Sequence, residues 1–338
     1  MRTFAFLLFF QSFASCQQAP DINLATEAAI ASTPNAAAWK DPNKPLPATS
    51  GIVFRSADGG KTWHDASTGL PKRLSAQEIF AINGQVFLTS NDGVLYRSSS
   101  DPIAPVWEKD VLLREKVAGL FPGRAGVLAC SYYDGFFQEI LPGVWKPVHT
   151  DLKDKMLRTI LETKDGNVFV GCDYGIFKST DNGKTWKRVF NEGMVLSIIE
   201  SDKTMIAGGS RGLLRSTDGG ENWNWALTEG GVGIATAAIE GKIAAITYNT
   251  DSKTRRLRTS SDGGKTWVPI DEGLSPSDSM SNITQVGEHL FCSHPTGIFR
   301  SSDEGKTWEL MLPSPKEKMY NFVVSGRVIY AIATGFGC

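Results

Sequence analysis

The sequence is poor in the residue types that metal centres, redox sites and nucleic-acid interfaces require. Its 338 residues include only 4 histidines and 5 cysteines, and no pair of cysteines has the close spacing of a zinc or redox motif. The 35 lysines and arginines are balanced by 36 aspartates and glutamates, so no basic excess is available for a phosphate backbone. We therefore expect no metal, no cofactor and no nucleic-acid partner.

Long apolar runs are also absent, apart from a short one at the N-terminus. Residues 1–16 read MRTFAFLLFFQSFASC, with one arginine before the apolar run and small residues before Cys16. This is the anatomy of an export signal, and the run is shorter than the roughly 20 residues that span a bilayer. The sequence therefore predicts a signal peptide over residues 1–15.

The residues before Cys16 also resemble a bacterial lipobox. They read Phe13-Ala14-Ser15-Cys16, and in a lipobox the signal is cut before a cysteine whose thiol carries a diacylglyceryl group. We predict that Cys16 is lipidated and anchors the protein to a membrane of the bacterial cell envelope. Cleavage near Ala14 by an ordinary signal peptidase is the alternative, and it would give a secreted protein.

Residues 16–49 contain few large apolar side chains. They are rich in Ala, Pro, Thr and Asn, and they show no sustained helical or strand period. Such a segment is typical of a flexible tether. We therefore predict a tether over residues 16–49 and one folded domain over residues 50–338.

Four further cysteines lie in the predicted domain. They are Cys130, Cys172, Cys292 and Cys338. In an oxidising compartment they are either two disulfides or four small buried side chains, and the spacing leaves the pairing open.

Five segments of the chain share the pattern S-x-D-x-G-x-[TN]-W. They are residues 56–63, 179–186, 216–223, 260–267 and 301–308. We expect each aspartate and glycine to form a hairpin turn, in which the carboxylate accepts backbone N–H bonds and glycine supplies a positive φ. The aspartates predicted to have this structural role are Asp58, Asp181, Asp218, Asp262 and Asp303.

Seven tryptophans divide the domain into units of about forty residues. They are Trp63, Trp107, Trp145, Trp186, Trp223, Trp267 and Trp308, at intervals of 44, 38, 41, 37, 44 and 41 residues. Three short apolar or β-branched runs precede each later tryptophan, and a fourth strand starts there. A period near forty residues with four strands per unit predicts an all-β, seven-bladed β-propeller of four-stranded antiparallel blades.

The two ends of the domain predict how the ring closes. Residues 318–338 supply a first and a second strand, whereas residues 50–56 are a third strand with nothing before them. We expect the C-terminal strands to pair with the N-terminal strand in one blade. This closure would remove the exposed sheet edges of an open ring.

The repeated pattern is that of the Asp-box, or BNR, repeat. From about residue 50 to its end the chain resembles the propellers of sialidases, sortilin-type receptors and xyloglucan-degrading hydrolases. In layout it most closely resembles the photosystem II stability and assembly factors. The last resemblance implies a single exported or lipid-anchored propeller without catalytic residues that holds a polypeptide partner on a face marked by an arginine cluster. Arg211, Arg255 and Arg256 fall on the corresponding face here, but they come from only two blades.

Candidate binding residues lie on the upper face, which is formed by the loops from second to third strands and from each blade to the next. The candidates are Tyr132, Tyr133, Asp173, Tyr174, Arg211 and His294. Aromatic and charged side chains from several blades converge there, as a binding surface requires. We predict a monomeric, non-enzymatic propeller that binds a protein or glycan partner on this face.

The alternative function is a glycoside hydrolase that acts on extracellular glycans. The xyloglucanase-like version needs two carboxylates several ångströms apart across a cleft, and the candidates are Asp134 and Asp173 in equivalent loops of adjacent blades. Aspartates are also common turn residues at such positions.

For the sialidase-like version of this function, the chain lacks the expected sequence motif. That resemblance implies Phe/Tyr-Arg-Ile-Pro near the first strand, whereas this chain has Phe54-Arg55-Ser56-Ala57. Arg55 instead occupies the position immediately before the Asp-box serine, where a basic residue recurs. The residues at this position in other repeats are Lys178, Arg215 and Arg300. We interpret them as surface charges on outer strands.

Overall fold

A computed structural model describes residues 51–335, except residues 102–103, 111–116, 118, 132–134, 149–151, 153–154 and 317. In that part of the chain 28 strands form seven four-stranded antiparallel sheets. The predicted signal peptide, the tether and Cys16 lie outside the described residues, as do Cys338 and the candidates Tyr132, Tyr133 and Asp134.

The chain enters the ring through two strands of one blade and then builds six blades in order. The first two strands are β1 (Val53–Ser56) and β2 (His64–Asp65). Blade 1 contains β3 (Ala76–Ile82), β4 (Gln85–Ser90), β5 (Leu95–Ser98) and β6 (Trp107–Asp110). Blade 2 contains β7 (Gly119–Gly123), β8 (Gly126–Ser131), β9 (Gly135–Leu141) and β10 (Val144–Val148). Blade 3 contains β11 (Leu157–Glu162), β12 (Val168–Cys172), β13 (Gly175–Ser179) and β14 (Lys187–Phe190).

The remaining blades follow the same plan. Blade 4 contains β15 (Val195–Ser201), β16 (Thr204–Gly209), β17 (Gly212–Ser216) and β18 (Asn224–Leu227). Blade 5 contains β19 (Gly231–Ile239), β20 (Lys242–Asn249), β21 (Thr254–Ser260) and β22 (Val268–Pro269). Blade 6 contains β23 (Ile283–Val286), β24 (His289–His294), β25 (Gly297–Ser301) and β26 (Glu309–Pro313). The last strands are β27 (Lys318–Ser325) and β28 (Val328–Gly335).

The seventh blade joins the two ends of the domain. Its strand order is β2-β1-β28-β27, and β1 pairs antiparallel with β28 so that Val53 lies opposite Ile332. The predicted seven-bladed propeller and its closure are both confirmed.

The second strand of each blade supplies most of the core. All five residues of β12 are buried, because both faces of that sheet are covered by neighbouring blades. Phe169 of β12 packs in one cluster with Trp223 of blade 4, which shows how apolar side chains join adjacent blades. A closed ring of this kind buries its sheets against one another without a separate central core.

The Asp-box turns all lie at one end of the blades, which we call the Asp-box face. In the turn after β13 the backbone N–H and the hydroxyl of Thr185 donate to Asp181 at 2.9 and 2.6 Å, and Ser179 Oγ donates to it at 2.8 Å. These hydrogen bonds, first of all that from the Thr185 hydroxyl, lower the pKa of Asp181 to about 2. Gly183 takes a φ of 80°, which glycine adopts without strain.

Basic side chains connect three of the five Asp-box turns to the blade before them. Lys178 Nζ donates to Gly219 O at 2.8 Å, Arg215 Nε to Gly263 O at 2.7 Å, and Arg300 Nη1 to Gly59 O at 3.0 Å. In every case the acceptor is the carbonyl that follows the aspartate of the next blade. The interpretation of this position as free surface charge is wrong for these three residues, because each side chain spans the gap between two blades.

The described cysteines are small buried side chains. Cys130, Cys172 and Cys292 are free thiols with almost no exposed surface. Burial raises the pKa of Cys130 to about 12 and also raises the pKa of the other two. Of the two alternatives for the cysteines, these three therefore follow the buried one.

Candidate functional site

A cavity of about 490 Å³ opens on the upper face, where the first strands of blades 1 and 7 begin. Its wall is formed by the start of β3, the start of β27, the end of β28 and the loop that precedes β23. The first strands of neighbouring blades contact one another, so their starting residues meet around the middle of the ring. The cavity has the size of a small-molecule or side-chain site.

A carboxyl group lies at the centre of this wall. Glu78 Oε1 accepts a hydrogen bond from Asn321 Nδ2 at 3.3 Å, and the two residues belong to blades 1 and 7. Although Glu78 is only half-buried as a residue, its carboxyl group is largely enclosed by protein, and this desolvation raises its pKa to about 6.

The amide of Asn321 links this carboxyl group to the loop before blade 6. Its Oδ1 accepts a hydrogen bond from Ser281 Oγ at 3.2 Å, while its Nδ2 donates to Glu78. The neighbouring Asn282 side chain donates to the carbonyl of Phe322 on the same strand, β27. Glu78 and Ser281, from two separate parts of the chain, therefore fix the orientation of the Asn321 amide.

Arg255 supplies a buried cation to the same cavity. Its Nη1 donates to the Met280 carbonyl, and its backbone N–H donates to Ser277 O at 2.6 Å. Its Nε–H is buried and has no hydrogen-bond acceptor among the described residues. Burial lowers the pKa of Arg255, but a guanidinium stays charged in a protein. The cavity wall thus carries two cationic side chains, Arg255 and Lys318, together with the carboxyl group of Glu78.

Asp173 and Tyr174 lie in the loop between β12 and β13 on the upper face. Both oxygens of Asp173 accept hydrogen bonds from Arg158, at 2.7 and 3.2 Å. This bidentate pair occupies the carboxylate that the hydrolase hypothesis would use. Tyr174 is 50% exposed, with Lys155 Nζ 5.8 Å from its ring centroid, so it remains available to a partner.

Arg211 forms a second exposed group on the same face. Its guanidinium lies 5.4 Å from the Trp225 ring centroid and 3.7 Å from a carboxylate oxygen of Glu192. The indole N–H of Trp225 donates to that carboxylate at 2.9 Å. Arg211 and Trp225 are thereby presented together at the edge of blade 4, the kind of aromatic and arginine pair that dominates protein interfaces.

His294 occupies a different environment from the other candidates. It is 3% exposed, and its ring nitrogens lie 2.7 Å from Thr296 Oγ1 and 3.0 Å from Ser275 O. Burial lowers the pKa of His294. The ring therefore supports the loop from the interior, and we leave it out of the binding surface proposed below.

Arg256, the third arginine of this face, is held by Asp271. Its Nε and Nη2 donate to that carboxylate at 2.6 and 2.8 Å, which leaves little of the guanidinium for a partner. Among the residues that the structure describes, no cluster of His, Cys, Asp or Glu has the arrangement of a metal site. The described part of the chain also contains no helix of the length and hydropathy that a membrane span requires.

The residues that sequence reasoning missed are Glu78, Ser281 and Asn321. They lie outside the Asp-box pattern, and Glu78 and Asn321 are 243 positions apart in the chain. Only the closure of the ring brings them together. The position of Glu78 two residues after the start of a first strand was a signal that it faces the middle of the ring, but nothing in the sequence indicated its partner.

Comparison with known proteins supports the repeat and the fold. The BNR/Asp-box repeat family matches residues 54–65 and 177–188. No curated protein sequence matches the chain.

Several solved structures are similar, at sequence identities that establish the fold alone. An ancestral GH74 enzyme gives a TM-score of 0.60 at 15% identity, and the match covers 84% of this chain and 45% of the enzyme. The extracellular domain of BT4673, a putative one component system from B. thetaiotaomicron, gives a TM-score of 0.57 at 10% identity, with 78% of this chain and 39% of that domain covered. YCF48 bound to D1 peptide gives a TM-score of 0.53 at 13% identity, with 86% of this chain and 99% of YCF48 covered.

This chain covers very different fractions of the three solved structures. This chain spans less than half of the GH74 enzyme and of the BT4673 domain, but it matches nearly all of YCF48. The repeats, the four-stranded blades and the closed ring together make the chain a seven-bladed β-propeller built from BNR/Asp-box repeats.

Proposed function

We propose that the protein is an exported, lipid-anchored, non-enzymatic propeller whose upper face holds a segment of a partner protein. The observation that carries the proposal is the cavity of about 490 Å³ on the upper face, whose wall includes the carboxyl group of Glu78, the amide of Asn321 and the guanidinium of Arg255. A concave site of this size with a few convergent polar groups is the arrangement expected of a binding site.

The surroundings of the cavity favour a protein partner. Tyr174, Arg211 and Trp225 add aromatic and arginine side chains on the same face, and these residue types are enriched in protein interfaces. YCF48, which the chain matches over most of its length, was solved with a bound peptide. A glycan is the other class of partner, because tyrosine and tryptophan also stack on sugar rings.

Hydrolysis is the competing function, since GH74 enzymes share the fold. The described residues favour binding, because both carboxylate oxygens of Asp173 are engaged by Arg158. An inverting hydrolase needs a free carboxylate base opposite a protonated acid. Glu78, with its raised pKa, would be the acid of such a pair.

A crosslinking experiment in intact cells tests the binding proposal. A photoreactive amino acid at Asn91, which lines the cavity, is expected to crosslink to a partner polypeptide. The same amino acid at Ser302, exposed on the Asp-box face, is the matched control and should give no adduct. Equal adducts from both positions, or none from Asn91, would refute a binding site on the upper face.

Two substitutions then test whether the exposed residues contribute. Tyr174→Ala and Arg211→Ala are each expected to weaken capture of the crosslinked partner by about tenfold, as interface anchors do. The free energy of unfolding should change by less than about 0.5 kcal/mol, because both side chains are exposed.

The same protein should leave xyloglucan and sialyllactose intact. New reducing ends that appear with the wild type and disappear with Asp173→Asn or Glu78→Gln would replace the binding proposal with a hydrolase. Lipidation has its own test, since Cys16→Ser should abolish incorporation of labelled fatty acid. Unchanged labelling would contradict the anchor without affecting the site on the upper face.

A further inference from the structure

One turn on the Asp-box face is apolar, whereas its equivalents in the five Asp-box blades are polar. Between β9 and β10 of blade 2 the chain reads Ile140-Leu141-Pro142-Gly143-Val144. Ile140 is 53% exposed, Leu141 64% and Val144 36%. Val106, in the corresponding turn of blade 1, is 43% exposed. We call these four side chains the apolar tip.

The apolar tip contains four of the six exposed large hydrophobic side chains of the described residues. The other two, Tyr174 and Val268, lie on blades 3 and 5. Blades 1 and 2 are also the two blades in which the Asp-box pattern is degenerate. Exposed apolar side chains that cluster on adjacent blades mark an interaction surface.

A charged network holds this turn in place. Glu139 accepts the Gly143 N–H at 2.7 Å and pairs with Arg97 of blade 1, so it acts as the aspartate does in a regular Asp-box. Arg97 also contacts Asp110 at 3.2 Å, and Trp145 Nε1 donates to the same carboxylate at 3.3 Å. The turn is therefore fixed with its apolar side chains facing outward.

We propose that the apolar tip inserts into the interfacial region of the membrane to which the protein is anchored. The proposal rests on the lipid anchor at Cys16 proposed above. Residues 17–50 span at most about 120 Å when fully extended, which is several times the length of a blade strand. The tether therefore lets the Asp-box face reach the bilayer.

The size and charge of the surface favour a membrane over a second copy of the chain. Four partly exposed side chains offer far less than the roughly 800 Å² per partner that a stable dimer buries. An anchored protein needs much less, because its tether keeps the membrane at a high effective concentration. On the adjoining strands the exposed Lys109 and Lys146 attract anionic headgroups and the exposed Glu108 opposes them, which leaves one net positive charge.

Insertion of the apolar tip would set the orientation of the propeller. The turns of blades 1 and 2 on the Asp-box face would lie against the bilayer, and blade 5, on the opposite side of the ring, would be tilted away from it. The upper face with its cavity would point away from the membrane. The partner segment would then be held at a distance from the membrane surface.

Thiol protection in isolated membranes tests the proposal with the full-length protein. Leu141→Cys is compared with Val268→Cys, an equally exposed apolar position on blade 5. The buried Cys130, Cys172 and Cys292 react poorly because their thiols are protonated and enclosed, and the wild type supplies the background. A membrane-impermeant maleimide is the probe.

We expect the thiol introduced at position 141 to react about tenfold more slowly in membranes than in detergent. This factor corresponds to a tip that is outside the bilayer, and therefore accessible to the probe, in about one tenth of the molecules. The thiol introduced at position 268 should react equally in both. Equal rates at position 141 would overturn the proposal, and so would oxidation of that thiol to a disulfide-linked dimer. Absence of the protein from the membrane fraction would contradict the lipid anchor at Cys16. An unprotected thiol at position 141 in a membrane-bound protein would contradict only the insertion of the apolar tip.

Discussion

The guanidinium of Arg300 donates to the carbonyl oxygen of Gly59 at 3.0 Å, although the two residues are 241 positions apart. Arg300 belongs to blade 6, and Gly59 lies in the Asp-box turn of the closing blade. The same contact recurs between Lys178 and Gly219 and between Arg215 and Gly263. The Asp-box is thus the acceptor of a bond from the preceding blade as well as a turn within its own blade.

Removal of the Arg300 contact should weaken ring closure. Arg300→Met keeps most of the side-chain volume but leaves the Gly59 carbonyl without this donor. We expect the free energy of unfolding to fall by about 1 to 3 kcal/mol, as for other hydrogen bonds from charged groups. Denaturant unfolding measures this, with Lys184→Met on an exposed Asp-box turn as the control. A loss no larger than that of the control would show that the contact is unimportant for stability.

The Asp-box aspartates should make stability fall in strong acid. Hydrogen bonds from the threonine hydroxyls and backbone lower the pKa of Asp181 and Asp303 to about 2, below the value near 3.9 of an unfolded chain. Their stabilisation is complete above about pH 5 and is lost as the pH falls towards 2. Melting temperatures measured from pH 5 to 2 should therefore drop less steeply for Asp181→Asn than for the wild type. Parallel curves would contradict this assignment.

Glu78 should lower the stability of the folded protein as the pH rises, which is the opposite of the effect of the Asp-box aspartates. Burial raises its pKa to about 6, so ionisation is harder in the folded protein and the penalty grows as the pH rises from about 4.5 to 6. Glu78→Gln retains an acceptor for Asn321 and removes the penalty. Above pH 6.5 the variant should be more stable than the wild type by up to about 2 kcal/mol, with no difference below pH 4. Unfolding at both pH values measures this, and a difference that does not depend on pH would refute it.

Loss of β1 should destabilise the whole ring. Deletion of residues 51–63 uncovers Ile329, Tyr330 and Ile332 of β28, all of which are buried. At about 1.5 to 3 kcal/mol for each side chain, the free energy of unfolding should fall by about 4.5 to 9 kcal/mol. Calorimetry of the truncated protein measures the effect. An unaltered thermal transition would mean that the other six blades are stable without closure.

The sequence predicts the fold because the information is repeated and local. Every blade carries its own strand pattern and turn, so the degenerate copies at Trp107 and Trp145 could be placed from the intervals between intact ones. The closing blade followed from two incomplete ends, and β1 does pair with β28.

The candidate site was predicted less well because its contacts join distant parts of the chain. The loop of Asp173 was identified, but its partner Arg158 lies on another strand and no pattern links the two. His294 was predicted to be a loop residue, whereas β24 extends to it and turns its ring inward. The pair of Glu78 and Asn321 depends on closure of the whole ring.

Ring closure also has a consequence for the life of the chain in the cell. A polypeptide synthesised from its N-terminus delivers β1 first, and that strand keeps an unpaired edge until β28, residues 328–335, has been made. Chains that end before residue 321 lack Asn321 and the strand that pairs with β1, so they cannot form the cavity that Glu78 and Asn321 line together.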